Sequence, residues 1–196
     1  GSHLPDIFLF QPVFSDDNLM GYVCAMTHHT DVGGRVAGGN ACDSTEIYQE
    51  GLRIPPLKLY ERGQPNETLF RIIEKAVRVP DVVLADLKAS IAAIQFGEGE
   101  YLKLVKEYGV EGLIDEQKKL MDYSEMLTRT AIRSLPDGQW SFTDHIDDDG
   151  IDPGPIAIKT TITKKDDSIH LDFTGTSPQC KGAIQPVFAT RKAIAY

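Results

Sequence analysis

No run of apolar residues in this chain approaches the ~20 needed to cross a bilayer, and no cleavable leader pattern opens it. Basic residues are scarce. Only 20 Lys and Arg stand against 29 Asp and Glu, a formal net charge of −9 over 196 residues. No basic stripe is available to neutralise phosphates, which argues against nucleic acid or an anionic membrane surface as partner. A phosphorylated substrate held by one or two arginines stays open. Cysteine is sparse too: Cys24, Cys42 and Cys180 are odd in number, scattered and without CxxC spacing. That pattern fits a reducing cytoplasm, the expected location, rather than a disulfide framework. Neither Cys24, in an apolar strand, nor Cys180, beside Lys181, has the neighbours of a thiol nucleophile.

The remaining composition, 41% hydrophobic and 25% charged, is ordinary for a globular protein, and the length suits one well-buried domain or at most two small ones. The chain has no initiating Met and stops at Ala195-Tyr196 inside a helical pattern beginning near Val187. The expectation is that residues 1–196 form a single internal fragment of a longer polypeptide.

Residues 7–14 read as a strand broken at Pro12. Asp16-Asp17-Asn18 gives a turn, and residues 20–27 a second strand, so the chain opens like a hairpin. Gly33 to Ser44, with four glycines, is a loop long enough to suggest function or mobility. Arg53 to Leu59 is extended around Pro55-Pro56. A helix begins at Asn66. Leu84, Leu87, Ile91, Ile94, Leu102, Val105 and Tyr108 then follow amphipathic spacing, with Gly97 and Gly99 as candidate interruptions. Gly109 and Gly112 are stop signals, and a second long helix is expected from Glu116, ending before Pro136-Asp137-Gly138 and carrying Leu120, Leu127 and Ala131 on one face. The helices are expected to form an antiparallel hairpin packed on a sheet. From Trp140 the period changes to two. Phe142, Ile156, Ile158 and Ile162, then Ile169, Leu171 and Phe173, predict antiparallel strands with one buried face. The predicted class is α+β, with antiparallel or mixed sheet elements at both ends and a long helical hairpin between them.

The densest chemistry is His28-His29-Thr30-Asp31-Val32-Gly33-Gly34, which follows directly on the apolar run Gly21 to Met26. Successive strand side chains point to opposite faces, so only one of the two histidines reaches a given cation unless the strand has already ended. A metal site with histidine and carboxylate ligands and a His-rich surface loop both suit this spacing. His3-Leu4-Pro5-Asp6 adds another His and carboxylate, with Pro5 expected to hold the backbone extended; on its own the run reads as a solvated chain start, and whether His3 meets His28 depends on strand register. The cluster Asp144 to Asp152 lacks the alternating spacing of a calcium loop and reads as a solvated acidic turn. Glu46, Glu50 and Arg53 suit either a charged rim or substrate contacts. Asp172 to Ser177 suits a backbone anion site or a simple cap; it is not a Walker loop and lacks its lysine.

The runs HLPDI (3–7), PVF (12–14), HHTDVGG (28–34), DSTEIYQEGLRIPP (43–56) and DFTGTSPQ (172–179) resemble the hydantoinase B/oxoprolinase family. That family includes subunits of N-methylhydantoinases and of acetone and acetophenone carboxylases, and the C-terminal half of 5-oxoprolinase. The resemblance covers essentially the whole chain in the family's order, and Gly1-Ser2-His3 matches its native GSH or GTH. It implies a divalent metal (Zn, Mn or Fe) held by His3, Asp6 and His28. His29 and Asp31 would then support the ligands from behind or transfer protons. It further implies a hetero-oligomer, in which a hydantoinase A-like partner subunit or domain uses ATP to activate the carbonyl of a small cyclic amide. A ketone carboxylase, or a non-catalytic scaffold for the ATP-binding partner, are the alternatives. Lys88 and Gln95-Phe96 depart from the arginines and Asn-Arg that many relatives carry there.

Overall fold

A computed structural model describes residues 3–195, so Gly1 and Ser2 of the GSH match, and Tyr196, lie outside the described residues. The chain divides into two compact units, Gly1–Leu104 and Val105–Tyr196.

The first unit opens with two antiparallel strands, β1 (Asp6–Ser15) and β2 (Asn18–His28). Pro12 does not break β1: it pairs opposite Tyr22, and the irregularity falls instead between Val13 and Phe14. A two-stranded ribbon tolerates proline because each strand has an unpaired edge where a missing N–H costs no ladder bond. Strand alternation then sorts the side chains. Phe8, Phe10, Tyr22 and Met26 lie exposed on one face, whereas Leu9 packs into the core on the other. Tyr101 donates to the Met20 carbonyl at 2.9 Å, and Gln11 bonds Glu98.

Those partners sit on α2 (Pro80–Tyr108), which crosses the boundary between the units. Gly97 and Gly99 do not interrupt it. Gly97 is small for packing: a Cβ there would lie 2.7 Å from Val23 Cγ1. α1 (Glu67–Ala76) starts as the sequence predicts, with the Asn66 side chain accepting from Leu69 N–H at 3.2 Å. Leu69 and Ile73 of α1 meet Val83, Leu87 and Ile91 of α2 in the core, with Leu52, Ile54 and Leu59 of the extended segment against them. Between β2 and α1 lie a 3₁₀ turn (Ile47–Gln49) and a short hairpin, β3 (Tyr60–Glu61) with β4 (Gln64–Pro65).

In the second unit Gly109, at φ 71°, ends α2, and α3 (Val110–Arg133) begins at once, with Gly112 in its first turn rather than at a stop. Its apolar residues Leu120 and Leu127 are exposed and Leu113 is buried. Strands β5 (Gly138–Asp148), β6 (Pro153–Lys165) and β7 (Ser168–Asp172) form one antiparallel sheet in sequence order. The predicted alternation holds, but the apolar face is not buried: Trp140, Phe142, Ile158, Ile162 and Ile169 are exposed. Pattern fixes which residues share a face, not whether anything covers it. α4 (Phe188–Ala195) follows.

The acidic turn is not simply solvated. Asp149 is buried, and its carboxylate accepts N–H bonds from Ile151 and Asp152 at its own turn and from Lys181 and Gly182, 32 and 33 residues on. The N–H groups of Gly182, Asp152 and Ile151, joined by Lys181, hold this carboxyl far below the ordinary carboxylate range. A depressed folded value stabilises above the unfolded value and is lost as pH falls through the folded one. Asp149→Asn is therefore expected to lower the melting temperature at neutral pH. The gap from wild type should stay constant down to about pH 5 and narrow as pH falls below about 3.9; melts across pH 2–8 read it.

Candidate metal centre

Register answers what spacing leaves open. Asp6, the first residue of β1, pairs directly opposite His28, the last of β2. Opposed residues of an antiparallel pair share a face with Cβ atoms about 5 Å apart. His3 reaches the same place because residues 3–6 are not extended. Asp6 N–H bonds the His3 carbonyl at 3.3 Å, closing a turn that folds His3 back over the strand end. His3 Nε2 lies 3.6 Å from Asp6 Oδ1, and the His3 and His28 rings are tilted with centroids 4.7 Å apart. One ligand atom from each of His3, Asp6 and His28 falls within 4.8 Å of the others.

The turn is braced on several sides. The Pro5 carbonyl accepts from His29 N–H at 2.9 Å and from Ile7 N–H at 3.1 Å. Leu4 N–H donates to Glu50 Oε2 at 3.3 Å, and the His3 ring engages Asn40 Oδ1 through Nδ1 at 2.8 Å. This donor set fits a divalent cation. Two imidazoles and one carboxylate are the N/O ligands of zinc, manganese and iron(II) sites. An acceptor on His3 Nδ1 also leaves the lone pair on Nε2, the nitrogen 3.6 Å from Asp6 Oδ1.

His29 is placed elsewhere. β2 ends at His28, and His29 turns inward to 1% exposure. Its Nε2 is 3.2 Å from Thr27 Oγ1, which is 3.2 Å from Ser90 Oγ on α2, while Nδ1 is buried without a hydrogen-bond partner. Burial lowers its pKa below the ordinary histidine value, with the Asp86 charge opposing, so the ring is neutral at pH 7.

Asp31 is also buried and is the hub of the glycine-rich loop. Oδ2 accepts from Gly33 N–H at 3.0 Å and Arg78 N–H at 2.8 Å; Oδ1 accepts from Gly38 N–H at 3.2 Å and Arg78 Nη1 at 2.8 Å. Arg78 in turn donates to the carbonyls of Gly33, Gly34 and Val36. Burial alone would raise the carboxyl; the donors of Arg78, Gly38 and Gly33 outweigh it, and the carboxyl titrates below its ordinary value. Gly34 has φ 78°, and a Cβ there would meet the Gln49 carbonyl oxygen at 2.5 Å, so the loop needs glycine at this point.

Sequence reasoning missed Asn40 and Arg78. Each acts across 37 or more residues, and neither belongs to a local pattern; the loop's length was the only pointer to Asn40. Of the other candidates, Glu50 braces residue 4, while Arg53 lies over the Tyr48 ring at 4.9 Å. The Asp172 turn is no anion cradle in this structure, since Asp172 itself takes the Thr174 N–H and the Phe173 carbonyl takes that of Thr176.

The family model described as hydantoinase B/oxoprolinase matches residues 1–196. The B-type component of a provisional D-/L-hydantoinase from Pseudomonas sp. (strain NS671) is 35% identical over 183 residues, 91% of this chain and 31% of that protein. The crystal structure of the ATP-dependent caprolactamase from Pseudomonas jessenii superposes with a TM-score of 0.85 at 31% identity, covering 93% of this chain and 31% of that one. Nucleotide-free acetone carboxylase gives a TM-score of 0.84 at 18% identity, over 92% of this chain and 25% of that one, a likeness of fold. The chain spans about a third of the length of three curated relatives it matches and about a sixth of the 5-oxoprolinases.

Proposed function

Because this chain belongs to the hydantoinase B/oxoprolinase family over residues 1–196, we propose that it forms the metal-binding part of the catalytic subunit of an ATP-dependent cyclic-amide hydrolase. The observation that carries the proposal is the convergence of His3, Asp6 and His28 at one strand end, with ligand atoms within 4.8 Å of one another. Hydrolase is favoured over ketone carboxylase because the hydantoinase component and the caprolactamase share 35% and 31% identity with this chain, whereas acetone carboxylase supports only the fold. Several relatives are named as subunits, which supports an ATP-using A-type partner. Among the described residues no helix is long and apolar enough to cross a membrane, and the cysteines are free; both suit the cytoplasmic setting proposed.

In this reading His3 Nε2, an Asp6 oxygen and a His28 nitrogen hold the cation. When bound, the cation supplies Lewis-acid polarisation of a carbonyl and lowers the pKa of water. The protein's own contribution is placement. The His3–Asp6 turn and the Asp6–His28 pair set the donors before substrate arrives, and the pre-set arrangement needs little reorganisation during reaction. Neutral, buried His29 and the Asp31–Arg78 hub take the supporting role. His29 clamps the turn through its main-chain N–H, and Asp31 holds the loop.

The test uses the full-length protein with its A-type partner. Metal analysis is expected to find near-stoichiometric Zn, Mn or Fe, and ATP-dependent ring opening is expected with hydantoins, 5-oxoproline or a lactam. His28→Ala should lose the metal and lower turnover by about 10²-fold or more. Normal metal content and turnover in that variant would refute the assignment, and turnover that requires a ketone and bicarbonate would transfer the site to carboxylation.

A further inference from the structure

The glycine-rich loop has a role beyond connection. Its shape is fixed at one end by the Asp31–Arg78 hub, which binds Gly33 and Gly38 N–H and the carbonyls of Gly33, Gly34 and Val36. Gly39 follows, so close to the site that a Cβ on it would touch Pro5 Cγ at 3.5 Å. The next residue, Asn40, places its side-chain oxygen 2.8 Å from His3 Nδ1.

We propose that Asn40 is the positioning residue of the metal centre: its amide oxygen accepts a hydrogen bond from His3 Nδ1–H and so presents Nε2, unprotonated, to the cation. The inference rests on His3, Asp6 and His28 being the ligands. The argument is chemical. A neutral imidazole carries one proton and one lone pair, on either nitrogen. His3 Nε2 is the atom that faces Asp6, at 3.6 Å. It can serve as a donor to a cation only in the tautomer whose proton is on Nδ1, and an oxygen acceptor at hydrogen-bond distance selects that tautomer. The same bond fixes the ring plane. Asp6 and the His28 ring also neighbour the His3 ring but are themselves members of the ligand set, whereas Asn40 can hold the ring while they turn to a cation. Asn40 suits this work because it is held by the loop and not by the strands. It can therefore engage the ring through Nδ1 without occupying a ligand position.

The experiment is metal titration of the full-length protein with Mn²⁺ and Zn²⁺ against a chromogenic chelator, with ¹⁵N-histidine NMR of the metal-free protein. Asn40→Ala is expected to weaken metal binding about 10–100-fold and to turn the His3 ¹⁵N signature from the Nδ1–H tautomer to a mixture. Asn40→Asp retains an oxygen acceptor and is expected to restore both. His3→Ala and His28→Ala run in parallel. If they abolish binding while Asn40→Ala binds as wild type with an unchanged His3 tautomer, the positioning role is refuted and the ligand set stands. If they bind metal as wild type, the ligand set is wrong and the role of Asn40 falls with it. Loss in Asn40→Ala without rescue in Asn40→Asp also overturns the proposal, since it would reveal a loop effect rather than an acceptor effect.

Discussion

Asp6→Ala is expected to give the largest loss of activity of any single change in this chain, about 10²–10⁴-fold in kcat/KM, with little change in the fold. The size follows from charge. Of the three converging groups Asp6 alone brings an anion, so its removal takes away both a donor and the neutralisation that lets a divalent cation sit among neutral imidazoles. The tolerance follows from position. Asp6 is the first residue of β1, and the main-chain turn to His3 and the pairing to His28 do not need its side chain. Asp6→Asn separates the two contributions: it keeps the volume and one neutral oxygen but not the charge, and an intermediate loss is expected. Circular dichroism should be that of the wild type, and metal content should fall in parallel with turnover. Full activity in metal-replete Asp6→Ala would remove Asp6 from the site.

How far the site could be read in advance follows from which contacts are local. HxxD and the histidine pair are visible in the chain, and strand alternation alone states that one of His28 and His29 faces away. The structure keeps that division: His28 stays exposed beside His3, and His29 is buried against Thr27. Register was not legible, because it depends on how a ten-residue and an eleven-residue strand slide before their turn, including the irregularity at Val13 and Phe14. The turn at Pro5 reads as extended in one dimension because one of the bonds that brace it, from His29 N–H to the Pro5 carbonyl, comes from a residue 24 positions away. The helices were readable from periodicity, and their boundaries less so. Gly97 reads like a break, yet it is a contact with Val23 that no one-dimensional pattern carries. The apolar face of β5, β6 and β7 was legible as a face, and its exposure was not. Arg78 was invisible for the opposite reason to the histidines. It is one surface-type residue between two helices, and only the folded loop shows that its guanidinium gathers the Asp31 carboxylate and the carbonyls of Gly33, Val36 and Gly34.

That hub yields the second large effect, this time on stability. Asp31→Ala removes four bonds at once, two of them from Arg78. A charged hydrogen bond contributes about 1.5–3 kcal/mol and a broken buried pair about 3–5 kcal/mol, but the Arg78 side chain is 43% exposed, and water screens it and re-solvates it once it is released. The expected net cost is about 2–4 kcal/mol. Asp31→Asn should recover little, because an amide turned to give one oxygen to one set of donors sets its NH₂ against the N–H groups of the other. The sign with pH follows from the lowered carboxyl: stabilisation is complete above the unfolded value of about 3.9 and is lost as pH falls through the depressed folded value. Wild type and variant should therefore differ by a constant amount through neutral pH and converge only in acid. Native-state hydrogen exchange locates the effect, since the Gly33, Gly38 and Arg78 amides lose their acceptor together and should exchange faster as a group. Because the loop carries Asn40 to His3, the same variant should also weaken metal binding, although Asp31 is not among the three ligands. A variant that lost stability yet kept full metal affinity would show that Asn40 finds His3 without the hub, and would separate the loop's architecture from the site it serves.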